Sequence, residues 1–211
     1  VVYLNAGDAL VGDGALAAVA ECIAGCVEEP DVVFAGALFT LPNGVEIYWR
    51  PLPFEYVSHG LPGNHQATYY RRAALPSPPY DPSYRVCGDY FLIATMSLQR
   101  PRVASLDLPA VAFYAGGVST QRPLQLWREC LRVQREVLHQ DAPARARSAA
   151  RRAVNMTGVR VLSLRGLEPV ARGVIALRGA TPAPRPVVAS AAMIEGTLYR
   201  LGAWAIRGAL R

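Results

Sequence analysis

The sequence predicts an α/β sheet followed by an Arg-rich helical extension, and three observations carry this prediction. Apolar, β-prone runs at residues 1–4 and 32–39 are separated by an Ala-rich segment with helical spacing. The reverse-turn signal Leu41-Pro42-Asn43-Gly44 precedes an alternating run at 45–49, which is typical of a hairpin. From about residue 120 the pattern becomes helical and rich in arginine.

Length and composition indicate one domain with an extension. The chain has 211 residues and 52% hydrophobic content, enough to bury a sizeable core. No signal peptide and no apolar run of about 18 residues is visible. The four cysteines form no CxxC pair, so we expect buried thiols and a reducing cytoplasm. Residue 1 is not Met and lies inside an apparent strand. We therefore expect the sequence to be a fragment or a truncated gene product.

Charge is divided unevenly along the chain. All 22 basic residues are arginine. Residues 1–119 hold six Arg and eleven acids, whereas residues 120–211 hold sixteen Arg and five acids. A split of this size predicts two parts with different surroundings.

The first elements predict a ligand-binding edge. Residues 1–4 read as a buried parallel strand, and a turn at 5–8 follows it. In open α/β sheets, ligands bind at this end of the strands. Asp13 is expected to cap a helix over residues 14–27, whose apolar stripe includes Leu16, Val19 and Val27.

A second polar region follows a Pro- and Gly-rich loop at residues 50–64. Residues 66–71 suit a strand, and a Pro-rich bend then leads to a helix that begins near Gly88. Asp89 falls in the first turn of that helix, where the helix dipole favours a carboxylate whether or not the residue is functional. Short strands are expected at 102–106 and 110–114, separated by Pro109.

The extension predicts several helices. Ser119 or Thr120 is expected to cap one through His139, and Asp141 to begin another that runs to about Met156. Residues 181–186 read as a Pro-rich linker. Residues 187–211 read as an amphipathic helix, with Ile194 and Leu198 on the apolar face and arginines opposite.

Two groups of motifs together resemble a known family. His65-Gln66, the aromatic-Arg strand after it, Tyr80-Asp81-x-x-Tyr84 and Gly88-Asp89-Tyr90 resemble, in this order, the second half of family 2 glycosyltransferases. These are inverting enzymes with the GT-A fold, a Rossmann-like nucleotide-diphospho-sugar transferase architecture. Tyr3-Leu4-Asn5-Ala6-Gly7-Asp8 is similar to that family's donor and metal motif. The resemblance covers roughly residues 1–115.

The resemblance implies a division of the chain. Residues 1–119 would be the C-terminal portion of a partial GT-A domain, and residues 120–211 a basic helical extension. The family's first βαβ units, which cradle the nucleotide, would precede residue 1.

The resemblance also implies roles for individual residues. Asp89 would be the catalytic base. Asn5, Asp8, His65 and Gln66 would bind the nucleotide-sugar donor, and Asp8 would also hold Mg²⁺ or Mn²⁺. The family's commoner form reads Asp-x-Asp, and Gly7 departs from it. From the residues alone, Asp8 could equally form a turn, and His65 could be a hydrogen-bonded structural residue.

Three functions remain open at this point. The first is sugar transfer from a nucleotide diphosphate to a saccharide or lipid-linked acceptor in cell-surface polysaccharide synthesis. The second is a non-catalytic remnant or binding module with the same fold. The third, a nucleic-acid-binding tail, is disfavoured because few aromatic residues accompany the arginines. An anionic membrane surface, bound through residues 187–211 at the inner face of the membrane, fits the arginine pattern better. The alternative is that residues 187–211 pack their apolar stripe on the helices of residues 120–178.

Overall fold

A computed structural model describes residues 1–5, 7–114 and 117–176 of the chain. Five strands form one mixed sheet in the order β1-β5-β2-β3, and β4 also pairs with β2. The strands are β1 (Ala9–Leu10), β2 (Val32–Thr40), β3 (Glu46–Trp49), β4 (Thr68–Tyr70) and β5 (Val103–Tyr114). The predicted α/β class is therefore confirmed at this coarse level, and the GT-A architecture stays a prediction.

Strand β2 is the centre of the sheet. It runs parallel to β5 and antiparallel to both β3 and β4, which occupy its other edge at opposite ends. Its apolar run is buried on both faces, as expected for a central strand. The predicted strand at 32–39 and its hairpin partner are confirmed.

Strand β5 is one long strand where two short ones were predicted. Pro109 lies at a register irregularity opposite Gly36, where its missing N–H interrupts the ladder without ending the strand. Position 36 requires glycine, because a Cβ there would lie 2.2 Å from the hydroxyl of Tyr48. That hydroxyl donates a hydrogen bond of 2.8 Å to Asp107 Oδ1.

Helices cover both faces of the sheet. They are α1 (Ala15–Ala24), α2 (Gly88–Ser97), α3 (Val118–Gln121), α4 (Pro123–Glu136), α5 (Ala142–Leu162) and α6 (Glu168–Ala176). Val33 and Ala35 of β2 pack with α1, whereas the alternate residues Val32 and Phe34 pack with α2 and α4. This alternation follows from the two-residue period of a strand.

Helix α4 belongs to the same core as α2. Cys130 and Val133 of α4 lie in one buried cluster with Leu92 and Ile93 of α2. The boundary predicted at residue 119 therefore falls between elements that share a core. A further cluster joins the C-terminal end of β2 to α5 and α6 through Phe39, Leu162 and neighbouring residues.

The prediction of a buried parallel strand at residues 1–4 was wrong. Val2 forms only an isolated antiparallel bridge with Tyr69, and Val1 and Leu4 are 44% and 43% exposed. The segment pairs antiparallel with the end of the short strand β4, where Val1 and Tyr70 exchange two backbone hydrogen bonds, and only Val2 and Tyr3 pack against the core.

The first helix begins within one residue of its predicted start, but its predicted cap and its predicted end were wrong. Helix α1 begins after Gly14 with no side-chain cap and ends at Ala24, so Asp13 does not cap it. Leu16 is 51% exposed and Val27 is fully exposed. Of the residues of α1, only Ala15 and Val19 are buried, and both pack in the cluster that includes Val33 and Ala35 of β2.

The helices after residue 117 agree more closely with the prediction. Asp141 caps α5 by accepting a hydrogen bond of 2.8 Å from Ala144 N–H, as predicted, but the helix continues beyond Met156 to Leu162. Pro123 occupies the first turn of α4 and separates it from α3, so the single helix predicted through His139 is divided. The predicted linker and the helix at 187–211 lie outside the described residues. Within the described ranges, no helix is long and apolar enough to span a bilayer.

Candidate functional site

Asp89 lies at the N-terminal end of α2 and is half-buried. Its Oδ2 is 3.5 Å from His65 Nδ1, and its Oδ1 accepts a hydrogen bond of 3.3 Å from the Tyr80 hydroxyl. The side chain is 28% exposed, so a ligand can still reach the carboxylate. Both contacts therefore leave Asp89 held in place and accessible.

His65 and Gln66 lie in a 3₁₀ turn, His65–Ala67, that local sequence fixes. Asn64 precedes the turn, and its Oδ1 accepts a hydrogen bond of 2.9 Å from Gln66 N–H. The Thr68 hydroxyl donates to Asn64 O at 2.7 Å, and β4 begins at that residue. The strand predicted at 66–71 is thus confirmed only over its middle, because capping by Asn64 starts a 3₁₀ turn first.

Asn5 and Asp8 contact this turn. Asn5 Nδ2 lies 3.0 Å from His65 Nε2, and Gln66 Nε2 donates to Asp8 Oδ2 at 2.5 Å. With an amide nitrogen facing Nε2, that ring nitrogen accepts and the proton of a neutral His65 sits on Nδ1, toward Asp89. The contacts thus form one chain of side chains, Asn5–His65–Asp89, and a parallel pair, Asp8–Gln66.

All five residues singled out from the sequence are therefore linked through one 3₁₀ turn, His65–Ala67. Asp8 and Asp89 each contact one of two consecutive residues, His65 and Gln66. Carboxyl and imidazole groups so placed can accept a proton or bind the polar groups of a ligand. Their individual roles stay predictions.

Tyr80 is a further candidate for the site, although its motif predicts no role for it. Its ring packs edge-on against Tyr3, at 5.4 Å between centroids. The motif at residues 3–8 therefore also contacts the motif that begins at Tyr80. A Cβ at Gly88 would lie 3.2 Å from the Tyr80 ring, so the ring packs closely on the backbone at the start of α2. Burial, followed by the charge of Asp89, raises the pKa of Tyr80, so its hydroxyl stays protonated and donates to Asp89 at neutral pH.

Glu129 of α4 is a second residue that sequence reasoning missed. Its Oε2 accepts hydrogen bonds from the N–H groups of Val86, at 2.7 Å, and Cys87, at 2.8 Å. These two residues immediately precede α2, and Glu129 is only 7% exposed. No local signal could have shown this contact, because about forty residues separate the carboxylate from the amides that it binds.

The divalent ion predicted at Asp8 would have few protein ligands there. Among the described residues, no group of three His, Cys, Asp or Glu side chains is placed to hold a metal ion. One carboxylate suits Mg²⁺ that is held mainly by water and by the phosphates of a ligand, the usual mode for nucleotide-bound Mg²⁺. A single carboxylate at Asp8 therefore does not form a closed structural metal site, and its role as a metal ligand stays a prediction.

Comparison of the chain with family models, with curated proteins and with solved structures found no match.

Proposed function

We propose that the protein is an inverting glycosyltransferase that moves a sugar from a nucleotide diphosphate to a saccharide or lipid-linked acceptor in cell-surface polysaccharide synthesis. One observation carries the proposal: two distant motifs meet, with His65 between Asn5 and Asp89 and with Gln66 against Asp8. The motifs were recognised separately along the chain, and a shared site is what sugar transfer requires of them.

Asp89 is the base in this proposal. Its carboxylate takes the proton from the acceptor hydroxyl, whose oxygen attacks the anomeric carbon of the donor sugar. The bond from that carbon to the diphosphate oxygen breaks, the nucleoside diphosphate leaves, and the configuration inverts. His65 and Tyr80 present N–H and O–H groups to Asp89, which keeps its oxygens acting as acceptors, as a general base requires.

Asp8 and Gln66 serve the donor side. A bound Mg²⁺ or Mn²⁺ would supply positive charge to the leaving diphosphate. Asp8 would hold that ion, and Gln66 fixes one oxygen of Asp8 so that the other faces the ligand. Asp8 N–H also donates a hydrogen bond of 3.2 Å to Asn5 O, which links the two residues directly.

The test is release of nucleoside diphosphate by the product of the complete gene that contains residues 1–211. UDP- and GDP-sugars are each incubated with Mn²⁺ and with short saccharide acceptors. We expect release with at least one donor, and loss of release in Asp89→Asn. Failure of every donor both to react and to bind would contradict the proposal.

A non-catalytic remnant is the second candidate, and Gly7 favours it. The residue has φ +96°, a conformation that side-chain-bearing residues rarely adopt. The carboxylate that the family carries at this position could not be restored on the same backbone without strain. Nucleotide-sugar binding without release of diphosphate by the complete gene product would identify this case.

We further propose a cytoplasmic enzyme bound to the inner face of the membrane through residues 187–211. The support is compositional: apolar residues alternate with arginine, and each Arg near an anionic surface adds about 1 kcal/mol. Vesicles with and without anionic lipid test the idea by co-sedimentation. Equal binding to both, or unchanged binding after deletion of 187–211, would contradict it.

A further inference from the structure

We infer that Glu129 is a positioning residue, which holds the N-terminal end of α2 and thereby keeps Asp89 against His65. Glu129 lies on α4, in the segment assigned from sequence to a separate extension. The positioning role follows from the hydrogen bonds of Glu129 to the start of α2. Only its effect on turnover rests on the proposed function.

The Glu129 carboxylate is held by hydrogen bonds on both of its oxygens, and we call its contact with the start of α2 the clamp. One carboxylate oxygen of Glu129 accepts from two consecutive backbone N–H groups, at Val86 and Cys87, and the other accepts from Gln125 Nε2 at 2.8 Å. Burial opposes ionisation of Glu129, but these hydrogen bonds outweigh it and hold the pKa of this carboxyl below its ordinary value. A buried carboxylate whose two oxygens accept three hydrogen bonds is held in position.

In the part of the chain that the structure describes, the N-cap residue of α2 forms no side-chain cap. That residue is Cys87, and the negative charge from α4 takes the place of a local cap. Only Gly88 separates Cys87 from Asp89. A displacement of the clamped backbone is therefore carried directly to the Asp89 carboxylate and to its 3.5 Å contact with His65.

A second contact places α4 at the same point. Cys87 Sγ lies 2.9 Å from Cys130 Sγ, and both residues are buried. Cys130 is the neighbour of Glu129 on α4, so two successive residues of α4 contact Cys87. The N-terminal end of α2 is thus set by α4 and not only by the loop that leads into it.

The experiment compares Glu129→Gln, which keeps an acceptor but loses the charge, with Glu129→Leu, which keeps the volume but loses both. Glu136→Gln is the control, because it removes a carboxylate from the same helix that is 39% exposed and paired with Arg132. In each variant, amide hydrogen exchange at Val86 and Cys87 and the ¹⁵N signals of the His65 ring are measured by NMR.

We expect exchange at both amides to quicken about tenfold in Glu129→Gln and further in Glu129→Leu, with shifted His65 signals. Glu136→Gln should change neither. In the complete gene product, kcat should fall roughly tenfold to a hundredfold while the KM for the donor stays constant, since only the base is displaced.

The two proposals fail separately. Unchanged amide exchange and unchanged His65 signals in folded Glu129→Gln would overturn the positioning role, whatever the activity. Should both signals change while no variant of Asp89 affects turnover, the clamp stands and the assignment of Asp89 as base falls. A Glu129→Leu variant that fails to fold leaves Glu129→Gln to decide the question.

Discussion

His65 Nδ1 lies 3.5 Å from Asp89 Oδ2, although the two residues come from a 3₁₀ turn and from the start of α2. The turn is held through Asn64 and β4 to the centre of the sheet, and α2 is held through Glu129 to α4. The contact is therefore supported on both sides by buried structure. It is the kind of preorganised pair that acid–base chemistry uses.

Replacement of Asp89 by Asn should remove the base while keeping the side chain's shape. We expect turnover by the complete gene product to fall roughly 10²–10⁴-fold. Thermal stability should change little, because the side chain is part-exposed and its partners, His65 and Tyr80, remain. Asp81→Asn is the matched control, since Asp81 lies in the same region but caps only Ser83 N–H. Near-normal turnover in Asp89→Asn would show that another residue is the base.

Tyr80→Phe should have a smaller effect in the same direction. The variant deletes one donor to Asp89 at 3.3 Å, and a hydrogen bond of that length to a carboxylate should change turnover about 3- to 10-fold. Tyr84→Phe removes a hydroxyl with the same geometry, 3.3 Å from Glu136, within the same motif. Equal losses in the two variants would mean that the hydroxyl of Tyr80 has no special role at Asp89.

The sequence allowed prediction of those parts of the fold that depend on local pattern. Strand β2, the hairpin to β3 and the start of α2 follow from apolar runs and from turn residues close to them. Asp141 likewise signals the beginning of α5. Residues 1–4 and Asp13 were predicted wrongly because their patterns are those of a strand and a cap, whereas neighbouring elements decide whether either forms.

The site was predictable as a set of motifs but not as a geometry. The resemblance assigned Asn5, Asp8, His65, Gln66 and Asp89 to donor binding and catalysis, and the structure links Asn5 and Asp89 to His65 and Asp8 to Gln66 by direct contacts. The role of Glu129 could not be predicted, because the sequence around a glutamate on an amphipathic helix does not indicate which distant amides it binds. Only the packing of α4 on α2 shows that contact.

Asp8→Asn should weaken dependence on divalent ions. If Asp8 holds the ion on the donor diphosphate, the variant should bind Mn²⁺ with at least tenfold lower affinity in the presence of nucleoside diphosphate. Gln66→Leu should lower the affinity about 10- to 100-fold by releasing Asp8. Broadening of the His65 and Gln66 NMR signals by Mn²⁺ gives a readout independent of turnover. Asp13→Asn, an exposed neighbour, is the control, and equal affinity in all three variants would remove Asp8 from the metal site.

Asp31 makes the stability of the fold depend on pH. Its carboxylate, 9% exposed, accepts from Arg102 N–H at 2.8 Å, from Arg102 Nε at 3.3 Å and from Arg71 Nε at 3.0 Å. It therefore joins the beginnings of β2 and β5 to the end of β4. Hydrogen bonds from Arg102, followed by those from Arg71, lower the pKa of Asp31 well below its ordinary value despite burial.

A depressed pKa in the folded state means that Asp31 stabilises the protein above its unfolded pKa of about 3.9, and that this stability is lost as pH falls below that value. Asp31→Asn should therefore reduce the free energy of unfolding by roughly 1–3 kcal/mol at pH 7. The difference from the unmodified chain should shrink progressively below about pH 4, in urea unfolding followed between pH 3 and 7. Asp13→Asn, which removes an exposed carboxylate, should change unfolding little across that range. A constant difference between Asp31→Asn and the unmodified chain at every pH would show that the loss comes from packing and not from the charge of Asp31.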